Sequence, residues 1–235
     1  IEMKKVILIT GTRKGIGKEL AEYYLSIGCI VIGCSRSPGT ILHIDYRHHE
    51  LDVSNELDVV KMVRATKKEF SRIDVLLNNA GIASMNHFLT TSYNTVQNIF
   101  NTNFLGTFIF SREVSKIMMK QKYGRIVNYT TVASALRLEG EAVYAASKGA
   151  IENFTQTISK EVAPFNITVN AIGPTPIETD LIKMVPKNKI LDLLDKQAIK
   201  RFGTFEDIKN VIDFFIDDKS EFITGQIIYL GGIHN

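Results

Sequence analysis

Short runs of apolar, mostly β-branched residues alternate along the chain with longer stretches in which apolar positions recur every three or four residues. The runs at 5–10, 30–34, 47–51, 75–77, 125–129, 168–171 and 226–230 predict about seven strands, and the stretches at 15–27, 55–70, 92–120, 143–163 and 205–216 predict helices. Strand and helix taking turns from end to end is the pattern of an α/β fold, a doubly wound parallel sheet covered by helices on both faces. The crossover from Arg36 to Asp52 is short and begins with Pro38 and Gly39, so a loop or single turn is expected between the second and third strands rather than a covering helix. No linker, repeat or low-complexity tract interrupts the pattern, which makes residues 1–235 one domain; Met3 is the natural start, with Ile1 and Glu2 read as a remnant ahead of it.

Composition narrows the class. A chain of 235 residues is expected to hide about 72% of its unfolded surface, enough for one sizeable core without crosslinks. Its 45% hydrophobic and 23% charged residues are those of an ordinary folded domain, and its two cysteines, Cys29 and Cys34, fall five apart on opposite faces of a strand as reduced core residues. A net charge of +3 gives no footprint for nucleic acid. The longest apolar runs, such as Val6-Ile7-Leu8-Ile9, are strand-sized, so no membrane span is expected; with no apolar leader and cleavage site at the start, the expected compartment is the cytoplasm.

Candidate chemistry begins at Thr10-Gly11-Thr12-Arg13-Lys14-Gly15-Ile16-Gly17, which follows the first strand and opens a helix with apolar positions Leu20, Ala21, Tyr24 and Leu25. Glycines there allow a tight turn and close backbone approach, so a pyrophosphate can meet the amides and positive dipole of a helix start. The spacing Gly-x-x-x-Gly-x-Gly resembles the short-chain dehydrogenase/reductase family. So do Leu51-Asp52-Val53, Asn78-Asn79-Ala80-Gly81, Asn103, Tyr144 with Lys148, the segment Pro174 to Thr179, and Gly225-Gln226 with Gly231-Gly232. The resemblance spans the chain, and its motif order is most similar to bacterial 3-oxoacyl carrier-protein reductases. It implies a Rossmann-like fold in which Asp52 and Val53 meet an adenine ring, the backbone of Asn79, Ala80 and Gly81 passes beside the cofactor, and Ile177 and Thr179 cap the nicotinamide carboxamide. Where the family commonly has Pro-Gly, this chain has Pro174-Thr175-Pro176, which implies a stiffer cofactor edge.

Charge after the second strand selects between cofactors, because a carboxylate there bonds a ribose 2′-OH and repels a 2′-phosphate. The chain has Ser35 and Arg36 instead, with Arg13 and Lys14 in the turn, so NADP(H) is expected.

Tyr144 is the only tyrosine with a lysine four residues on, which puts Tyr144 and Lys148 on one helix face. A nearby ammonium is expected to lower a phenol pKa that starts near ~10. Adding hydride to a carbonyl builds charge on oxygen, which needs a proton donor and a second hydrogen-bond donor. Tyr144 is the candidate acid. By resemblance, Lys148 bonds the nicotinamide ribose and Asn103 holds a water in a proton relay ending at that lysine. The family's serine, thirteen residues before the tyrosine, is Thr131 here; Ser134 on the following loop is the alternative, and Thr130 should face the other way.

The substrate class stays open between a 3-oxoacyl thioester and a keto-sugar or other small ketone. The segment 183–200 carries no recognisable code, with Leu181, Ile182, Met184, Val185 and Leu191 as apolar cover and Lys183, Lys187 and Lys189 as possible phosphate contacts. A non-catalytic dinucleotide sensor or scaffold is the reading from another class. Phe100, Phe104, Phe108 and Phe110 fit core or subunit contact, and by resemblance a four-helix interface makes a homodimer or homotetramer. Lys116, Lys120, Lys122 and Arg125 form a basic stretch able to meet an acidic carrier protein. His43, His48 and His49 lack ligand partners at metal spacing, so no metal is expected.

Overall fold

The structure is a computed structural model describing residues 4–177 and 187–234. Seven strands form one parallel sheet in the order β3-β2-β1-β4-β5-β6-β7: β1 Val6–Thr10, β2 Ile30–Ser35, β3 Tyr46–Glu50, β4 Val75–Asn78, β5 Gly124–Tyr129, β6 Ile167–Gly173 and β7 Ile227–Tyr229. The helices are α1 Gly15–Ser26, α2 Glu56–Phe70, α3 Tyr93–Phe100, α4 Gly106–Gln121, α5 Val132–Leu136, α6 Ala142–Val162, α7 Lys187–Asp195 and α8 Phe205–Ile216.

Alternation along β1 decides which residue serves which layer. Val6 and Leu8 join Val59, Met62, Phe110, Val114 and Met118 on one face; Ile7 and Ile9 join Leu20, Tyr24, Ile208, Ile212 and Phe215 on the other. Burial on both faces is why these strands read as unbroken apolar runs rather than as alternating ones. Cys34 packs into the first layer and Cys29 into the second, both as free thiols.

Between β2 and β3 the chain forms no helix, as the short crossover predicts. The stretch predicted as one helix over 92–120 is instead broken: α3 and α4 are joined by a π-turn at Asn101–Leu105. The basic stretch also needs correction. Arg125 is buried under the Tyr123 ring, with its guanidinium carbon 4.6 Å from the ring centroid, and does not belong to an exposed cationic surface. Phe110 is core, while Phe104 and Phe108 pack against Phe154 of α6.

Candidate active site

Strand order reverses between β1 and β4, and in a parallel sheet the loops at the carboxyl ends part there to leave a crevice. A cleft of about 490 Å³ occupies that place, walled by the β1–α1 turn, the ends of β2 and β3, and the segment after β4. Of the predicted cofactor residues, Gly11, Arg13, Lys14, Gly15, Ile16, Gly17, Ser35, Arg36, Asp52, Val53, Asn79, Ala80 and Gly81 line it.

The turn is shaped by contacts only glycine permits. Gly11 sits at φ 77°, and a Cβ on Gly17 would lie 2.3 Å from the Gly11 carbonyl oxygen. Lys14 caps α1 with its backbone alone, providing no side-chain cap to the first amides. Asn79 Nδ2 donates to Thr10 O at 2.9 Å, and the Ala80 amide donates to Thr10 Oγ1 at 2.9 Å, tying the segment after β4 to the turn. Thr12 departs from expectation: its side chain is buried and its hydroxyl bonds Tyr46 Oη at 2.8 Å, away from the cleft.

That bond begins a chain the sequence does not announce. Tyr46 Oη lies 2.8 Å from His48 Nδ1, and His48 Nε2 lies 3.1 Å from Ser37 O and 3.0 Å from Ser35 Oγ. The Ser37 carbonyl can only accept, so Nε2 carries the proton, Nδ1 accepts from Tyr46, and Tyr46 accepts from Thr12. His48 therefore fixes the loop after β2. Arg13 and Arg36 are exposed at the cleft and form no ion pair among the described residues. Asp52 accepts from the Ser54 amide at 2.8 Å and from its hydroxyl at 2.7 Å.

The catalytic candidates assemble where α6 passes the end of β5. The Thr131 hydroxyl stands close enough to the Tyr144 phenol to favour its charged form. The Ser134 hydroxyl is engaged elsewhere, 2.8 Å from Thr131 O and in contact with Glu152, which also meets the Thr130 hydroxyl. Lys148 is buried, and its Nζ donates to Tyr129 O at 2.8 Å. The expected lowering of the phenol pKa by Lys148 is not found. Burial pushes Tyr144 up to about 12, Glu141 adds to the rise, and the Thr131 hydroxyl is what opposes it; Lys148 is itself lowered to about 8 by burial.

Asn103, on the π-turn, is fully buried. Its Oδ1 accepts from the Ile82 amide at 2.9 Å, and its Nδ2 donates to Ile82 O and to Ser147 Oγ, both at 3.0 Å. A Cβ placed on Gly81 would lie 3.4 Å from Asn103 Oδ1 and 3.6 Å from Lys148 Nζ, so Gly81 joins the cleft to these residues although Tyr144, Lys148, Thr131 and Asn103 do not themselves wall it.

Pro174 accepts a bond from the Val132 amide at 3.4 Å, and Ile177 bridges to Gly203. Thr175 is buried beside Gly203 and Gly231, which leave room for the side chain the usual glycine lacks. Thr179, Leu181, Ile182, Lys183, Met184 and Val185 lie outside the described residues. No group of three metal-ligating side chains occurs among the described residues, and none of their helices is long and apolar enough to cross a membrane.

The short chain dehydrogenase family model matches residues 5–190. The chain belongs to that family. This short chain dehydrogenase is 31% identical over 234 residues to the 3-oxoacyl-[acyl-carrier-protein] reductase FabG of Escherichia coli, covering 97% of this chain and 96% of the relative. Among solved structures it is similar to ElxO with NADP bound, at 29% identity and a TM-score of 0.87 over 98% of each chain. It is also similar to NAD+-bound xylitol dehydrogenase, at 26% identity and a TM-score of 0.87 over 99% of this chain and 100% of that one. As a member of this family the chain is an oxidoreductase of the CH–OH and C=O class. Sequence reading missed two residues of the site. His48 carries no positional signal, whereas Glu141, the N-cap residue of α6 that walls the cleft, could have been found from its place three residues before Tyr144.

Proposed function

We propose that the chain reduces a ketone to a secondary alcohol with NADPH, with Tyr144 as proton donor. The observation that carries this reading is a buried Thr131 hydroxyl beside a phenol that burial keeps protonated. Hydride is what NADPH would bring when bound. As negative charge grows on the carbonyl oxygen, Tyr144 Oη–H gives its proton and Thr131 Oγ1–H holds the oxygen in line. A phenol pKa of about 12 leaves that proton in place at neutral pH, as reduction requires. Lys148 would hold the nicotinamide ribose beside Gly81. The side chain of Asn103 is committed to Ile82 and Ser147, so a relay water would rest on its backbone carbonyl, which already accepts from Thr107 Oγ1 at 2.8 Å.

The choice of NADPH rests on Arg13 and Arg36 at the cleft and on the absence of a carboxylate after β2. The substrate is a small carbonyl compound: a 3-oxoacyl thioester, carrier-linked or free, by likeness to FabG, or a keto-sugar by likeness to xylitol dehydrogenase. Helices α4 and α6, with the turn after α6, present Phe108, Met119, Phe154 and Phe165 around a shared groove, which supports a homodimer or homotetramer built on these two helices. A cytoplasmic enzyme is the matching address. Steady-state NADPH oxidation with a ketone panel tests the reading; tight NADPH binding without turnover of any ketone would leave a binding module instead.

A further inference from the structure

The far end of the cleft is walled by Ile82, Ala83, Ser84, Met85 and Glu141. Glu141 is the N-cap residue of α6, three positions before Tyr144, and its charge is felt at the phenol, so a molecule presenting its carbonyl to Tyr144 comes within reach of this carboxylate. The backbone here is fixed: the Asn86 amide donates to Gly140 O at 2.8 Å, and the Glu141 carbonyl accepts from the Ala145 amide at 2.7 Å. Among the described residues the carboxylate is met by the charge of Lys189 but by no hydrogen-bond donor. It is half-buried, and burial raises its pKa while Lys189 opposes the rise. The Lys189 ammonium approaches the same loop, 3.4 Å from Glu139 O. Ser84 adds a hydroxyl to the wall.

A ligand that fills the cleft displaces the water on this carboxylate, which favours a ligand that brings a donor in its place. A 3-oxoacyl thioester has none next to its ketone: there stand a methylene and a second carbonyl, whose oxygen meets a carboxylate with repulsion. A ketone flanked by hydroxyl groups brings O–H donors at that distance. We propose that Glu141 determines specificity by accepting a hydrogen bond from a hydroxyl next to the carbonyl being reduced, which makes the substrate a polyhydroxylated ketone rather than a 3-oxoacyl thioester. This rests on the ketone-reductase reading above.

The test compares three probes with the full chain and NADPH: a ketopentose, the acetoacetyl thioester of N-acetylcysteamine, and cyclohexanone. Each is run on wild type, Glu141→Leu and Glu141→Gln. Glu141 also acts on the Tyr144 phenol, so kcat alone is ambiguous; the ratio of kcat/KM between two probes on the same protein cancels that shared effect. Wild type should favour the ketopentose over the thioester. Removing a charged acceptor should cut that ratio by about 10-fold or more in Glu141→Leu. Glu141→Gln, which keeps an acceptor and adds a donor, should retain part of the ketopentose rate while raising the thioester rate. A wild-type preference for the thioester, or a ratio unchanged within about twofold in both variants, overturns the role of Glu141 while the reductase reading stands. Failure to oxidise NADPH with any probe, cyclohexanone included, brings down the reductase reading and this inference with it.

Discussion

Lys148 is placed where chemistry would need it and folding would not. Burial lowers its pKa from 10.5 to about 8, so below pH 8 the fold carries an ammonium that water would solvate better. At 1.36 kcal/mol per tenfold change in proton affinity, that penalty is about 3 kcal/mol. Because the folded value lies below the unfolded one, the unfolded chain binds more protons between pH 8 and 10.5, and stability rises with pH through that window. Lys148→Met removes the titration but also leaves Tyr129 O without its 2.8 Å donor, a loss of about 1–3 kcal/mol, so the stability difference at a single pH is not diagnostic. Its pH dependence is, since every other group is common to both proteins. Urea denaturation of both at pH 7 and pH 9.5 should show wild type gaining about 2 kcal/mol on the variant. Curves that stay parallel within about 0.5 kcal/mol would show that Lys148 is not held in a desolvated place and refute the reasoning. Turnover should be lost in Lys148→Met at both pH values, which would make this lysine one kept at the expense of stability.

Thr131→Ala should lower kcat by about 10²–10³ in steady-state reduction while Ser134→Ala leaves it near wild type, as expected for a lost transition-state donor; the reverse pattern would move the donor to the loop. Replacing Arg13 and Arg36 together with Ala should weaken NADP⁺ binding by about 10-fold by titration calorimetry, with NAD⁺ affinity little changed; equal losses for both cofactors would count against a 2′-phosphate contact. Gly33→Ala would put a Cβ 2.3 Å from both Thr12 Oγ1 and Tyr46 Oη. It should lower stability by about 1–3 kcal/mol in denaturant, and an unchanged midpoint would show that the Thr12–Tyr46–His48 chain yields easily.

The strands and most helices were legible because they rest on local pattern: Ile7 and Ile9 are apolar for the same reason as Leu8, since both faces of the sheet are covered. The turn at Gly11 to Gly17 was legible because helix and strand flank it. What was not legible depends on contacts distant in sequence. Apolar period runs smoothly through Asn101–Leu105, and only the demand of Ile82 and Ser147 on the Asn103 side chain shows why a π-turn interrupts it. Thr12 reads as a cofactor residue until Tyr46, thirty-four positions on, takes its hydroxyl. Arg125 reads as surface charge until Tyr123 and the strand bury it. The pairing of Tyr144 with Lys148 was visible as spacing, but spacing could not show that the ammonium faces Tyr129 O.

One amide links the two halves of this site. Asn103 reaches from the helix after β4 to the backbone of Ile82 on one side and to Ser147 on the other, while Ser147 Oγ donates to Tyr144 O at 2.7 Å. Ile82 follows Gly81 on the cleft wall, and Ser147 precedes Lys148 on α6. Cofactor wall and catalytic helix are thus held to a common reference by a side chain with no solvent exposure, whose donors and acceptor are all engaged. The π-turn at Asn101–Leu105 is where the chain sets this amide between Ile82 and Ser147. Hydride transfer depends steeply on such placement. With Tyr144 and Lys148 acting as proposed, the irregular turn belongs to the same site.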